Sequence, residues 1–174
     1  MRRNKFPVST LTIKASGVPF RCVEEYKAGK AVFADITNRL IRERGYEIDL
    51  ITPEQAGENL LRILDESSFV FFEYFMTDTY GHKRNREGLK ESVAILSRFL
   101  STVWKTMETG GDTLIVVSDH GNAEDLSTPE HTLNTVPTII FTHDQKVKEK
   151  AAARIRSLTD IYPWVIDYFK EGGQ

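Results

Sequence analysis

Two apolar runs that each stop abruptly at acid and imidazole side chains constrain this chain more than anything else in it. The first is SFVFFEYFM, continued by TDTYGHKRN to Asn85; the second is TLIVV, continued by SDHGNAEDLSTPEHTLNTVP to Pro137. Runs this short and this rich in β-branched and aromatic residues read as buried strands. Between them, from Arg86 to Glu108, Leu89, Val93, Leu96, Leu100, Val103, Trp104 and Met107 fall on one helical stripe, with Lys90, Glu91, Ser97, Arg98 and Lys105 opposite. The order is therefore strand, helix, strand. In a parallel α/β unit it sets Asp78 and His82 just past the carboxyl end of one strand, and Asp119 and His120 just past that of the next. The expected fold class is α/β: three layers, with three or four mostly parallel strands and helices on both faces.

The remaining segments fit around that unit. Residues 1–29 are the least assigned; FPVSTLTI reads as a short strand, and RCVEEYKAGK as turns with a short helix. From Lys30 to Arg44, Val32, Ile36, Leu40 and Ile41 recur at helical spacing, with Gly45 as a stop, and YEIDLI reads as a strand or extended linker. Thr52, Pro53 and Gln55 are the N-cap, first-turn proline and capping-box residues of a helix reaching to about Glu66. Gly110 and Gly111 end the long helix, VPTIIF reads as a further strand, and HDQKVKEKAAARI as a helix. The last helix, in SLTDIYPWVIDYFK, is capped by Thr159 or Asp160 and stops at Gly172 and Gly173. No repeat or linker divides the chain, so a single domain over residues 1–174 is expected.

Composition excludes several functions. A net charge of −2 and a pI near 6.1 give no electrostatic basis for binding nucleic acid or an anionic membrane. No apolar run approaches the ~20 residues that cross a bilayer, and the basic start MRRNKFPVSTLTIKAS has no apolar core of a signal sequence. The single cysteine, Cys22, has no partner for an internal disulfide, which suits a reducing cytoplasm.

The chemistry lies in Asp78 with His82 four residues on, in the adjacent pair Asp119 and His120, and in His131. Burial penalises both residue types unless something pairs them, and a divalent cation is one such partner. Imidazole with carboxylate suits zinc, manganese or iron, and five ligands exceed what one tetrahedral zinc takes, so two ions are expected. The residues alone leave another reading open, because a lone Asp-His pair in a loop is more often a hydrogen-bonded structural pair. Lys83, Arg84 and Arg86 beside His82 suit a substrate phosphate through charge-assisted hydrogen bonds, and suit a solvated helix start equally well. Glu73, alternating with aromatics, reads as an edge or helix-contacting residue, and His143 as structural.

SDHGN followed by HTLNTVP, with DTYGH upstream and SLTDIYPWVIDYF near the end, resembles the carboxyl-terminal half of the metalloenzyme superfamily that contains cofactor-independent phosphoglycerate mutases, phosphopentomutases and alkaline phosphatases. The resemblance runs in order from about Gly29 to Phe169 and is densest from Asp78 to Pro137. It implies an alkaline-phosphatase-like core lacking its amino-terminal part. It also implies two divalent metal ions, zinc or manganese: one held by Asp78, His82 and His131, the other receiving Asp119 and His120. In the family the second ion is completed by an amino-terminal aspartate and by a serine or threonine nucleophile. Ser9, Thr10, Thr77, Thr79 and Ser118 are present here, and none matches that nucleophile. Three functions follow from the resemblance: a phosphoryl-transfer domain acting on a phosphorylated small molecule, inactive by itself, and either a fragment of a longer protein or completed by another chain or a second copy; a non-catalytic metal-binding relic; or a sulfatase- or phosphodiesterase-like hydrolase.

Overall fold

The computed structural model describes residues 8–107 and 111–172. Among the described residues helix accounts for 51% and strand for 6%, a mostly helical fold with one small open sheet. Two compact units divide it, Met1–Tyr74 and Phe75–Gln174.

Among the described residues, the first unit contains four helices: α1 (Val8–Ser16), α2 (Val23–Lys27), α3 (Arg39–Glu43) and α4 (Pro53–Leu64). Helix α4 starts where its capping box directs: the Thr52 hydroxyl accepts from Gln55 N at 3.2 Å, and the Gln55 side chain accepts from Thr52 N at 2.8 Å. Helix α3 is much shorter than the helix expected over residues 30–44. Its start is fixed by Asp35, whose carboxylate accepts from Asn38 N and Leu40 N, while Ile36 and Asn38 take positive φ of 68° and 65°. That left-handed stretch ends any helix arriving from Lys30, and Gly45, at φ 87°, stops α3 as expected. Ile36, Ala56 and Ile63 form the buried apolar core of this unit.

The second unit contains α5 (Met76–His82), α6 (Arg86–Met107), β1 (Leu114–Val117), β2 (Thr138–Phe141), α7 (Gln145–Arg154), a 3-10 turn over Leu158–Asp160 and α8 (Ile161–Lys170). Asp144 caps α7, its carboxylate accepting from Lys146 N at 2.7 Å and Val147 N at 3.2 Å. The core gathers Met76, Phe99, Val103, Met107, Ala151 and Trp164. On α6 the buried line is Ser92, Phe99, Val103 and Met107, whereas Val93, expected inside, is 51% exposed. The buried line is therefore turned from the expected stripe toward Ser92 and Phe99, while Val103 and Met107 stay inside as expected. Glu108, Gly110 and Gly173, expected at helix ends, lie outside the described residues, as do Phe6 and Pro7 of FPVSTLTI.

The three-layer, mostly parallel sheet, including the alkaline-phosphatase-like core, does not form. Strands β1 and β2 pair antiparallel, with Leu114 opposite Phe141 and Val117 opposite Thr138. A parallel pair needs a crossover, usually a helix; here residues 118–137 join the strands without one, and a Gly121–Thr132 bridge pinches the connection back on itself. Residues 69–75 belong to no strand, and Phe69 and Phe71 are 57% and 70% exposed. YEIDLI likewise forms no strand, and the described part of FPVSTLTI is helical, in α1.

Candidate metal centre

All five acid and imidazole residues singled out from sequence lie in the second unit, and two local structures bring them together. The first is α5, where spacing of four residues places Asp78 and His82 on one helical face. Asp78 is thus in the first turn of a helix instead of past the end of a strand. The second is the pinched connection from β1 to β2. Asp119 and His120 follow β1 directly, His120 precedes Gly121, and His131 precedes that glycine's bridge partner Thr132. The pinch holds the two imidazoles face to face, with ring centroids 3.5 Å apart and planes at 20°.

Asp78 Oδ1 is the focus. Three imidazole nitrogens approach it: Nε2 of His82 at 3.2 Å, of His131 at 3.4 Å and of His120 at 4.0 Å. His82 Nε2 and His131 Nε2 are 3.2 Å apart, and Asp119 Oδ2 lies 3.3 Å from His120 Nε2. Asp78, His120 and His131 each offer a ligand atom within 4.8 Å of the others. Although 38% of the Asp78 side chain is accessible, Oδ1 itself is buried with no hydrogen-bond partner. A buried carboxylate oxygen left without a donor is costly, and a cation among these atoms removes the cost. The spacing fits one: ligand atoms about 2.05 Å from a tetrahedral zinc lie about 3.3 Å from each other. The triangle of Asp78 Oδ1, His82 Nε2 and His131 Nε2 has edges of 3.2, 3.4 and 3.2 Å.

The surroundings prepare the nitrogens for this role. The carbonyl of Pro129 lies 2.6 Å from His82 Nδ1 and only accepts, so Nδ1 carries the proton and Nε2 presents its lone pair in the neutral ring. His120 Nδ1 lies 3.4 Å from the Gly121 carbonyl in the same sense. Arg84, at φ 51°, donates from Nε to Leu126 O at 3.0 Å, a second tie between the end of α5 and the connection. Between the ligands of α5, buried Gly81 faces Asn122; a Cβ there would lie 1.5 Å from Asn122 Oδ1.

Inside the connection, Glu124 accepts from Thr132 Oγ1, from Asn134 Nδ2 at 3.0 Å and from Asn122 N at 2.7 Å. The Thr132 hydroxyl above all, then its own backbone N–H and the Asn134 amide, hold the Glu124 carboxyl down at about 2. Sequence reasoning missed this residue, since it is one of three acids between His120 and His131 and nothing in composition separates it from Asp125 or Glu130.

Other expected positions are simply located. Lys83, Arg84 and Arg86 are exposed at the turn from α5 to α6, with Lys83 Nζ 5.9 Å above the Tyr80 ring. His143 stands apart from the cluster, stacked on Trp104 at 5.1 Å. Glu73 lies outside any strand, in the first unit, with Oε2 buried and unpaired. Ser118 donates its hydroxyl to His120 O at 2.8 Å, and Thr77 and Thr79 lie in α5. No helix among the described residues is long and apolar enough to cross a membrane.

A carboxylate oxygen ringed by imidazole nitrogens on a braced loop and helix defines a candidate centre for a divalent metal ion. The chain belongs to the metalloenzyme superfamily, whose family model it matches over residues 43–171. It is similar to the 2,3-bisphosphoglycerate-independent phosphoglycerate mutase of Antithamnion sp., 31% identical over 129 residues, which are 67% of this chain and 25% of that protein. The enzyme of the same name from Ehrlichia canis is 27% identical over 130 residues, again 67% of this chain and 25% of the relative. A phosphopentomutase of Photorhabdus laumondii is 27% identical over 125 residues, 72% of this chain and 28% of that protein. The chain thus spans about a quarter of the length of these relatives. No solved structure gives a significant match.

Proposed function

We propose that this chain is the metal-ligand portion of a phosphoryl-transfer enzyme of the phosphoglycerate mutase type, and that residues 1–174 act as one metalloenzyme-type domain. The observation that carries the proposal is Asp78 Oδ1, buried, without a donor, and approached by three imidazole nitrogens. Asp78, His82 and His131 hold one ion tightly, as their near-equal spacing supports; His120 and Asp119 contribute to a second. Imidazole and carboxylate suit zinc or manganese. The family match crosses the boundary between the two compact units, which supports treating them as one domain.

A bound ion supplies charge neutralisation for a transferring phosphoryl group and lowers the pKa of an oxygen nucleophile. The chain's own residues orient and bind. His82 is fixed in its tautomer by Pro129, and the exposed Lys83, Arg84 and Arg86 offer charge-assisted hydrogen bonds to the phosphate of a small-molecule substrate. The reading assigns the chain no nucleophile, since the Ser118 hydroxyl is engaged by the His120 carbonyl and Ser9 and Thr10 lie in α1. It works as part of a longer protein, or with a further chain or a second copy, in a reducing compartment suited to the single exposed Cys22.

Turnover tests this reading. Protein reconstituted with zinc or manganese is expected to show no mutase activity on phosphoglycerates, and at most weak hydrolysis of an activated phosphate ester. Robust, saturable mutase turnover by this chain alone would overturn the assignment of roles and direct attention to Thr77, Thr79 and Ser118.

A further inference from the structure

We infer that Glu124 is a positioning residue, which sets the separation of His120 and His131 and through it the affinity and geometry of the metal centre. The inference rests on the metal reading above. Glu124 touches neither imidazole; it acts on the two limbs of the connection that carry them. On the outgoing limb, Oε2 accepts from Asn122 N at 2.7 Å, two residues after His120. On the returning limb, Oε1 accepts from Thr132 Oγ1, next to His131, and from Asn134 Nδ2 at 3.0 Å.

The side chain at 124 must therefore accept at both ends. A carboxylate does so, whereas an amide turns one end into a donor and loses a partner on one limb. Gly121 is part of the same device. A Cβ there would lie 2.1 Å from Thr132 Oγ1 and 2.6 Å from Glu124 Oε1, so the carboxylate closes over the bridge only because residue 121 has no side chain. With the brace intact the rings stay stacked at 3.5 Å; without it, the Gly121–Thr132 bridge and the long Asn122 Nδ2–Glu130 O hydrogen bond of 3.4 Å are left to register the two limbs. Partners of this kind behind metal ligands typically alter affinity by about 10- to 100-fold.

Cobalt(II) titration of the full chain, read by calorimetry and by the visible d–d absorption of the bound ion, tests the inference. Glu124→Gln and Thr132→Val are each expected to weaken cobalt binding about 10- to 100-fold and to change the d–d spectrum. The double variant should be little worse than either single one, since both cut the same brace. Thr132→Ser, which keeps the hydroxyl, should restore wild-type affinity and spectrum. Far-UV circular dichroism checks the fold of every variant, and the valine–serine pair decides the matter should Glu124→Gln not fold. If Glu124→Gln and Thr132→Val bind cobalt with wild-type affinity and spectrum while His131→Ala loses the ion, the positioning role is wrong and the metal centre stands. Wild-type protein that binds no cobalt overturns both.

Discussion

Asp78 and Glu124 are both acids within the second unit, and their surroundings separate their roles. Asp78 Oδ1 has no donor and faces imidazoles, whereas Glu124 is surrounded by donors. The Thr132 hydroxyl, its own N–H and the Asn134 amide favour the ionised form of Glu124, holding its carboxyl at about 2 against an ordinary value of 4.5. The sign follows from linkage: a depressed carboxyl contributes stability above its ordinary value, and that contribution is lost as pH falls through the lower one. Carboxyl-carbon NMR of the metal-free protein should show Glu124 titrating near 2, with the loop signals of residues 121–134 shifting in the same window. A midpoint at the ordinary value would mean that the brace is not formed. The cluster at this scale was legible, because aspartate and histidine stand out when they follow apolar runs. Glu124 was not, because its role depends on a fold-back that no local pattern announces.

At the scale of elements, what was legible is what is encoded locally. The capping box of α4 and the stops at Gly45 and Gly172 appear where residue chemistry places them. The strands β1 and β2 were also found, but not their direction, which depends on how residues 118–137 travel. SFVFFEYFM has strand composition yet forms no strand among the described residues, because composition alone does not set ladder pairing. The α5 helix, hidden in TDTYGH, owes its place to close packing of Gly81 on Asn122. Gly81→Ala is therefore expected to push α5 from the connection, costing about 1–3 kcal/mol of stability by overpacking and weakening metal binding. Chemical denaturation and metal titration of this variant measure both. An unchanged midpoint with unchanged affinity would show that the contact does not set the spacing of Asp78 and His82 from the other ligands.

For the whole molecule, the expectation of a broad parallel sheet came from reading strand, helix, strand as a closed unit, and the two-stranded antiparallel sheet corrects it. The two strands pair only with each other among the described residues, and Phe69 and Phe71 are exposed. Open edges and exposed aromatics favour association. Under the proposed partnership, light scattering at high micromolar concentration should show a species larger than one chain, with binding of a hydrophobic dye. A monodisperse monomer that binds no dye would argue against a second copy as the partner.

Metal binding itself is the most direct test, because every role assigned here depends on an ion among Asp78, His82, His120 and His131. Calorimetric titration of the metal-free chain with zinc or manganese should show about one equivalent bound more tightly than any second, and His131→Ala should lose that tight step while keeping its far-UV spectrum. Equal binding by wild type and variant, or no binding by either, would contradict the account.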